Sequence, residues 1–539
     1  MNEEFARLIL QGLVERAASD RKNTFLSEAE LKAIKFLIGI QKEVPTDDAP
    51  ENEPTSQFDD FQPVIKWLPE SRPDDERLVC IDFGTSFSKA YASEGDDPEE
   101  VPELIDIALS PDAEGSARYL MPSELLIHRG EIYFGQSARK AFDDIAAEQD
   151  QLIDNPKQYM TLSKDVSNLE KRPLPEAKDP DGIFAERDAL VLYLSHLVRM
   201  VDQSLASAGL PQTLSMRYTH PAWKKEIAEQ NSISMRRIVA EAIALARSYP
   251  LDFEAQLEVR RASKLLLAAR QASDEDLPFD ILKEAVAEAT AAGAGALMEA
   301  QPTGRQHFVI LDIGAGTTDI AGCICVKGRG QRAKVWEIQS ARDAKNLAGN
   351  ALDNALQKFI LEHSSLAKGS TEYLQAERAL RRTIRAEKEI LFSTGEVLVE
   401  LVTDELVEIS LKDFRRDPMV EKIYGSIKDM VSKAAFAIRE SNAKVYLVPT
   451  GGGASLSLIE ELVSEPLVDG GHRVKLELSD AMPEQLKEAY PEIEPYYPQL
   501  AVAIGGAHPA LPEQKPTIEH FEGDPGPKHL RPIYTSPHS

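Results

Sequence analysis

Near the middle of the chain the sequence reads Phe308-Val309-Ile310-Leu311-Asp312-Ile313-Gly314-Ala315-Gly316-Thr317-Thr318-Asp319. An apolar run leads into Asp-x-Gly, and a turn of small and hydroxyl-bearing residues precedes a second apolar run. The same pattern occurs earlier, in Leu78-Val79-Cys80-Ile81-Asp82-Phe83-Gly84-Thr85-Ser86-Phe87-Ser88-Lys89. Each copy predicts a strand, a tight turn and a second strand. The repeat therefore predicts a protein built from two related halves.

A third glycine turn follows the predicted strand 445–448 and reads Thr450-Gly451-Gly452-Gly453-Ala454-Ser455. Glycines let backbone N–H groups approach phosphate oxygens, and Thr and Ser add hydroxyl donors. A helical pattern begins directly after the third turn, and the amides at a helix N-terminus suit an anion. An Asp at the end of a strand can hold Mg²⁺. Together the three turns predict a nucleotide clamp in which Asp82 and Asp312 share one metal ion.

Each Asp-x-Gly turn alone has a plainer interpretation, an ordinary hairpin with a glycine turn, because short motifs often match falsely. The plainer interpretation of the third turn is a tight connection from a strand to a helix. The occurrence of three such turns favours phosphate binding instead. The dinucleotide fingerprint G-x-G-x-x-G fails here, because its third glycine position is Asp319 and a strand follows rather than a helix. The sequence contains no G-x-x-x-x-G-K-[ST] run, which excludes a P-loop.

The composition narrows the class of protein further. The net charge is −28, from 61 basic and 89 acidic residues, which argues against nonspecific nucleic-acid binding. The three cysteines all lie in predicted strands, and such low usage fits a reducing compartment. The sequence shows no signal-peptide pattern and no apolar run long enough to span a bilayer. We therefore expect a cytoplasmic protein with no nucleic-acid or membrane partner.

A chain of 539 residues is too long for one ordinary core, so several units are expected. Strands and helices alternate through the main body, which predicts an α/β protein. Aromatic and aliphatic residues between 58 and 67 are expected to dock on a neighbouring surface. The predicted units, in chain order, are a helical hairpin (1–43), an acidic linker (44–76), a first lobe (77–300) with a helical insertion (224–286), a second lobe (301–510) and a disordered tail (511–539).

These turns resemble those of the actin-like ATPase superfamily, most closely those of the ATPase domain of DnaK-type, seventy-kilodalton heat-shock chaperones. The resemblance spans roughly 77–510 and implies two lobes, each built on a duplicated ribonuclease-H-like core of sheet and helices. The helical hairpin at the N-terminus would be an addition to that fold. Further segments match the family in order, at 121–123, 134–138, 218–223, 287–292, 349–354 and 501–507.

The resemblance implies ATP or ADP with Mg²⁺ as ligands, and it assigns roles to individual residues. Asp82 and Asp312 position Mg²⁺, while Glu288 and Asp319 orient water. Lys157 steadies the γ-phosphate, with a solvated surface lysine as the alternative. The phosphates are contacted by Gly84, Thr85, Ser86, Gly314, Ala315, Gly316 and Thr317. The adenosine is held by Gly451, Gly452, Gly453, Glu387 and Lys388, the last two within a register of one or two residues.

The chain also departs from the family. Ala315 replaces a glycine of the second turn, which narrows the room for phosphate without abolishing it. Ser455 stands where an arginine would stack on adenine, so nucleotide affinity is expected to be lower or base preference looser. The stretch between Pro221 and Glu288 is longer than the family pattern needs. Only a short tail follows Gly506, in place of the β-sandwich that binds substrate peptides, so we do not expect a peptide-folding cycle.

We expect a slow ATPase that acts as a switch on an unidentified protein partner, bound through the helical insertion or the N-terminal hairpin. A catalytically degenerate nucleotide-binding scaffold is the second hypothesis, and Ala315 and Ser455 favour it. An actin-like filament protein ranks lower, because high negative charge does not favour self-stacking. A small-molecule kinase also ranks lower, because the carboxylates that match the family already have roles at the metal and the water.

Overall fold

The computed structural model describes residues 61–67, 74–95, 101–144, 151–162, 165–211, 214–221, 223, 225–299, 305–328, 334–439, 444–508, 511 and 513–518. The predicted hairpin 1–43 and the linker as far as residue 60 lie outside the described residues. The chain divides into two compact units, Met1–Phe61 and Gln62–Ser539. The second unit is a mixed α/β structure, as the sequence predicts.

The described strands occur in both halves of this second unit. In chain order they are β1 (Asp74–Asp82), β2 (Phe87–Glu94), β3 (Glu103–Ile105), β4 (Met121–Pro122), β5 (Leu125–His128), β6 (Glu131–Phe134), β7 (Leu152–Ile153), β8 (Leu214–His220), β9 (Gln256–Glu258), β10 (Val286–Ala287), β11 (Arg305–Ile313), β12 (Thr318–Val326), β13 (Lys334–Lys345), β14 (Glu396–Glu400), β15 (Leu406–Ser410), β16 (Val445–Thr450), β17 (Leu467–Asp469), β18 (His472–Val474), β19 (Leu476–Leu478) and β20 (Glu513–Ile518).

The described α-helices alternate with these strands. They are α1 (Gly135–Asp144), α2 (Gln158–Leu162), α3 (Glu186–Ser207), α4 (Lys225–Ser248), α5 (Val259–Gln271), α6 (Glu288–Ala292), α7 (Ala294–Met298), α8 (Gly349–His363), α9 (Thr371–Thr394), α10 (Leu411–Phe414), α11 (Pro418–Ile438), α12 (Ser457–Ser464), α13 (Glu484–Ala489) and α14 (Tyr497–Ala507). Within the described part of the chain, no helix is both long and apolar enough to cross a membrane.

Two six-stranded sheets share one strand order. Sheet 1 runs β10-β8-β1-β2-β3, with β4 also paired to β2, and sheet 2 runs β19-β16-β11-β12-β13-β20. In sheet 1 the strands β1, β2 and β3 pair antiparallel in chain order, and in sheet 2 the strands β11, β12 and β13 do the same. Two later strands then add in parallel beside the first strand. The repeated sequence pattern therefore marks a repeated arrangement of strands.

The apolar runs that precede the two Asp-x-Gly turns form the centres of the sheets. Val79 in β1 and Val309 in β11 are completely buried, which explains why these strands are continuously apolar rather than alternating. The helix α14 packs against β1, β2 and β8 of sheet 1 and against α6. One apolar core cluster contains residues of both sheets and of α14, among them Cys80, Phe308 and Ala501.

The predicted insertion 224–286 is mainly helical, but it packs into the body of the protein instead of projecting from it. Its helix α4 lies along α3. There Arg247 Nε lies 3.1 Å from Asp202 Oδ2, with both side chains buried. Its strand β9 pairs with β6 at the edge of a four-stranded sheet of order β7-β5-β6-β9. A large part of the insertion therefore stabilises the neighbouring elements.

The segment 62–67 docks on this helical layer, which confirms the expectation for that part of the aromatic stretch. Ile65 is buried, and the backbone N–H of Trp67 donates to Asp276 O at 3.0 Å. The hydroxyl of Tyr249 donates to Val64 O at 3.2 Å. The guanidinium of Arg247 lies 5.7 Å from the centre of the Trp67 ring. The first strand begins at Asp74, inside the predicted linker.

The prediction of a disordered tail from residue 511 is wrong for residues 513–518. These residues form β20, which pairs in parallel with β13 and adds a sixth strand to sheet 2. The long strand β13 would otherwise leave one edge unpaired, and unpaired edges favour strand addition. Pro516 is compatible with this position because prolines in sheets are confined to edge strands and bulges. Residues 519–539 lie outside the described part of the chain.

Candidate functional site

A cavity of about 570 Å³ is lined by residues from both sheets. All three glycine turns contribute to its wall, through Gly84, Thr85, Ser86, Gly314, Ala315, Thr317, Gly451, Gly452 and Gly453. The predicted charged residues in the wall are Asp82, Glu288, Asp312, Lys157 and Lys388. Gly316, Asp319 and Glu387 are not part of the wall. The structure thus brings together most of the residues that the sequence predicts for one site.

Asp82 ends the strand β1 at the first turn. Its side chain is buried, and Lys89 Nζ lies 3.1 Å from Asp82 Oδ2 across the β1–β2 pair. The hydroxyl of Thr219, at the end of the parallel strand β8, lies 3.4 Å from Asp82 Oδ1. Ser123 supports the turn from behind, because its hydroxyl donates to Gly84 O at 2.8 Å. Its backbone N–H donates to Ser86 O at 3.0 Å, so the turn is held firmly in place.

Asp312 ends the strand β11 at the second turn, and Asp319 lies opposite it in the β11–β12 register. The pKa of Asp312 is raised to about 6, first by burial and then by the charge of Asp319. Burial also raises the pKa of Asp319, although a hydrogen bond from Thr317 opposes this. Because burial raises the pKa of both carboxyl groups and they lie opposite each other in the register, the pair favours a nearby cation.

The second turn is held by the first residues of α8. The N–H of Gly349 donates to Gly314 O at 3.2 Å, and the N–H of Asn350 donates to Ala315 O at 2.7 Å. The two Asp-x-Gly turns also touch each other, because a Cβ atom on Gly316 would lie 2.1 Å from Thr85 Cγ2. A side chain at position 316 would clash with Thr85, so glycine allows the two turns to approach this closely.

Lys157 and Glu288 form a buried ion pair in the cavity wall. Lys157 Nζ lies 2.8 Å from Glu288 Oε1, and the two residues are only 5% and 6% exposed. Burial lowers the pKa of Lys157, but Glu288, Asp82 and Asp319 raise it more, and the net shift is upward. Burial raises the pKa of Glu288 against the effect of Lys157, with help from Asp319 and Asp82. Lys157 therefore carries its charge inside the site, and the alternative of a solvated surface lysine is wrong.

Backbone hydrogen bonds join the third turn to the second turn and to α14. The N–H of Gly453 donates to Ile313 O at 3.0 Å, and the N–H of Gly451 donates to Pro498 O at 2.7 Å. Gly451 has a φ of +77°, and a Cβ atom there would lie 2.4 Å from Asp312 Oδ1. The helix α12 begins just beyond, at Ser457. The turn geometry and the close approach both require glycine at position 451.

One face of α9 completes the wall. Lys388 Nζ donates to Gly349 O at 3.1 Å and lies 2.7 Å from Asp353 Oδ1 on α8. Glu387, the other residue predicted on this helix, does not line the cavity, whereas its neighbour Glu389 does. Sequence reasoning missed four wall residues on this helix, Arg385, Glu389, Phe392 and Ser393. Counted from Arg385, the other wall residues of α9 follow after three, four, seven and eight positions, and this spacing is the available signal because such residues share one helix face.

The described residues contain no group of three or more His, Cys, Asp or Glu side chains placed to hold a metal directly. Magnesium usually keeps several waters and binds one or two carboxylates together with phosphate oxygens. Asp82 and Asp312, one from each sheet, fit that mode of binding because both line the cavity. The arrangement suits an anionic ligand whose charge is shared by backbone amides, lysines and a hydrated divalent cation.

No protein-family model matches this sequence, and none of the curated proteins shows a significant match to it. The function is therefore inferred from the residues and the geometry described above.

Proposed function

We propose that this chain is an actin-like ATPase that binds ATP or ADP with Mg²⁺ between two lobes and acts as a slow nucleotide switch for a protein partner. The observation that carries the proposal is the convergence of two equivalent strand–turn–strand units on one cavity. A chance glycine turn would not recur at the same place in two sheets of the same order.

The strand order supports the finer description of the fold. Both sheets have three antiparallel strands flanked by two parallel strands, and the presence of one arrangement in two copies is consistent with the duplicated core that the resemblance implies. Sheet 1 with its helices would be the first lobe, and sheet 2 with its helices the second. The helix α14 contacts sheet 1, and an apolar core shared by both sheets joins the two halves. This is the organisation expected of a nucleotide clamp similar to the ATPase domain of DnaK-type chaperones.

The cavity has the size and the donors that a nucleotide requires. Its volume of about 570 Å³ lies within the range common for ligand sites. The two Asp-x-Gly turns would bind the phosphates, and the third turn with Lys388 would bind the nucleoside. Asp82 and Asp312 would hold Mg²⁺, which when bound neutralises phosphate charge. Ser455 lines this cavity in place of the stacking arginine of the family, so we expect modest affinity for the base.

The buried charges support slow hydrolysis. Water would attack the γ-phosphorus in line, so the work of the protein is to position water and to stabilise the spreading charge. Glu288 lines the cavity and carries a raised pKa, mainly through burial, which suits a group that holds a water proton. Lys157 carries the positive charge nearest to Glu288 and would interact with the terminal phosphate. Lobe movement around the ligand would then change the affinity for a partner.

A nucleotide-binding scaffold without turnover is the second candidate. The observation that favours it is the pairing of Lys157 with Glu288, which engages two candidate catalytic side chains with each other.

The three cysteines bear on the location of the protein for either candidate. All three are free and buried, which is consistent with a reducing compartment such as the cytoplasm. Neither candidate depends on nucleic-acid or membrane binding.

The test is ATP binding and phosphate release by the purified full chain. We expect slow turnover that is lost in Asp312→Asn and Thr317→Ala, while Asp469→Asn, an exposed carboxylate on β17, retains it. Binding without turnover would favour the scaffold. Absence of binding to ATP and ADP with Mg²⁺ would overturn both candidates. Equal affinity of a captured partner in the ATP and ADP states would contradict the switch, and a pellet on sedimentation with ATP would revive the filament hypothesis.

A further inference from the structure

A second contact between the two halves of the site involves Phe87, which directly follows the first turn. The guanidinium carbon of Arg385, on α9, lies 4.4 Å from the centre of the Phe87 ring, at the start of β2. Both residues line the cavity. A guanidinium over an aromatic face at this distance is an attractive cation–π pair. The pair joins a helix that belongs with sheet 2 to a strand of sheet 1.

Each partner is fixed to its own half of the site. Phe87 pairs with Pro122 of β4 in the backbone register. On the other side, Lys388 on α9 binds Gly349 O and Asp353, both on α8. Because α8 also holds the second Asp-x-Gly turn, α9 is expected to move with sheet 2. The distance between Arg385 and Phe87 therefore reports how closely the two halves approach.

This contact differs from the one between the turns. At the turns Gly316 and Thr85 pack so closely that no side chain fits between them. The guanidinium of Arg385 instead lies at the end of a long side chain that is 43% exposed. Its Nε also donates to Glu389 Oε1 at 3.2 Å. Glu389 therefore still pairs with the guanidinium when the contact with Phe87 breaks. The contact between Arg385 and Phe87 can therefore open without leaving a buried charge unpaired.

We propose that Arg385 and Phe87 form a latch across the cavity that slows the release of bound nucleotide. The inference rests on the proposed function and assigns to that site a control point that the turns and carboxylates do not provide. When the latch is closed, the cavity is bridged at the turns and again at α9. When it opens, α9 can separate from β2 and the ligand can leave.

The experiment measures the release rate of a fluorescent ADP analogue, chased with excess ADP and Mg²⁺, from the full chain. We expect Arg385→Ala and Phe87→Leu each to speed release by about 3- to 10-fold, the effect of losing one partly exposed cation–π pair. The double variant should be no faster than the faster single variant, because both changes remove the same contact. Arg381→Ala, on the same helix and paired with Glu377, is the matched control and should not change the rate.

The outcomes separate the latch from the proposed function. Unchanged release in both single variants, or fully additive effects in the double variant, would overturn the latch while leaving nucleotide binding intact. A wild-type chain that binds neither the analogue nor ATP would overturn the proposed function and the latch with it. Far-ultraviolet circular dichroism and unfolding midpoints equal to those of the wild type would show that faster release does not come from misfolding.

Discussion

Asp319 lies directly opposite Asp312 in the register of β11 and β12. The corresponding position opposite Asp82, in the register of β1 and β2, is occupied by Lys89. The first hairpin therefore pairs a carboxylate with an ammonium group, whereas the second sets two carboxylates against each other. The duplicated halves share their shape but differ in charge at the point where they meet the cavity.

This difference predicts opposite effects of two substitutions on the ligand-free protein. Asp319→Asn should raise the free energy of unfolding at pH 8. The reason is that burial disfavours the charge on Asp319, which in turn raises the pKa of Asp312. Lys89→Met should lower stability, because Asp82 then loses its cation. Urea unfolding measures both, and a loss of stability in Asp319→Asn would contradict the expectation.

Substitution of a glycine in the third turn should affect nucleotide binding. Gly451→Ala should abolish nucleotide binding or weaken it by at least about tenfold, since a Cβ atom would displace Asp312 and a positive φ costs roughly 1–2 kcal/mol. Gly369→Ala is the matched control, because Gly369 also has a positive φ, does not line the cavity, and has no atom within 4 Å of the added Cβ. Calorimetric titration with ADP and Mg²⁺ measures the difference. Equal affinities in the two variants would show that the turn is not part of the binding site.

The buried ion pair should behave as a unit. Lys157→Met should cost about 3–5 kcal/mol of stability, because Glu288 then remains buried without its cation. The double variant Lys157→Met/Glu288→Gln should recover much of that loss but should not hydrolyse ATP. A double-mutant cycle in urea, run beside a phosphate-release assay, measures both properties. Additive stability effects in the cycle would mean that the two side chains do not interact.

The contact between α14 and β1 gives a test of packing outside the site. A Cβ atom on Gly506 would lie 2.4 Å from Cys80 Sγ, so Gly506→Ala should lower the free energy of unfolding by about 1–3 kcal/mol. Cys80→Ala removes that sulfur, and the double variant should be more stable than Gly506→Ala alone. Thermal unfolding of the three variants measures the rescue. A double variant no more stable than Gly506→Ala would contradict this packing.

His196 should make the fold sensitive to acid. The side chain is buried on α3, its Nδ1 lies 2.9 Å from Phe253 O, and its ring stacks on Phe134. Burial lowers the pKa of His196 from 6.5 to about 4, although the hydrogen bond with Phe253 opposes the shift. The unfolded chain therefore binds a proton more readily than the folded protein does. Stability is retained above pH 6.5 and is lost as the pH falls towards 4.

The expected loss from this one group is up to about 3 kcal/mol, at 1.36 kcal/mol for each pKa unit. Other groups titrate in the same range, so the quantity to compare is the slope of stability against pH in the wild type and in His196→Gln. The wild type should lose more stability between pH 6.5 and 4 than the variant. Parallel slopes would show that His196 is protonated equally in the folded and unfolded states.

The sequence predicts the meeting of the three turns because each turn is a local pattern. An apolar run followed by Asp-x-Gly specifies a strand and the turn that ends it, and repetition indicates two equivalent sites. The order of strands in each sheet does not follow from these patterns alone, since β16 and β19 join β11 from far along the chain. The resemblance predicts a duplicated core of sheet and helices, and only the structure shows the order of the strands.

Other features depend on contacts between distant residues. Lys157 follows a short Asn-Pro stretch with no periodicity, so nothing local indicates that it is buried against Glu288. Prolines and glycines flank residues 513–518, and such residues are typical of loops, so the local sequence does not indicate the strand β20. The sequence alone does not determine which face of α9 points to the cavity, because Lys388 and Glu387 are adjacent and both are charged. Only the packing of the helix shows that Lys388 lines the cavity.

The helix α14 and the strand β20 have a consequence for biosynthesis. The strands β1 to β10 leave the ribosome early, yet α14, which covers β1 and β2, begins only at Tyr497. Sheet 2 gains its outer strand later still, when residue 518 has been made. A nascent chain shorter than about 500 residues therefore carries apolar surface that it cannot cover. Translation that stops just short of this region would yield an aggregation-prone product instead of a weakened protein.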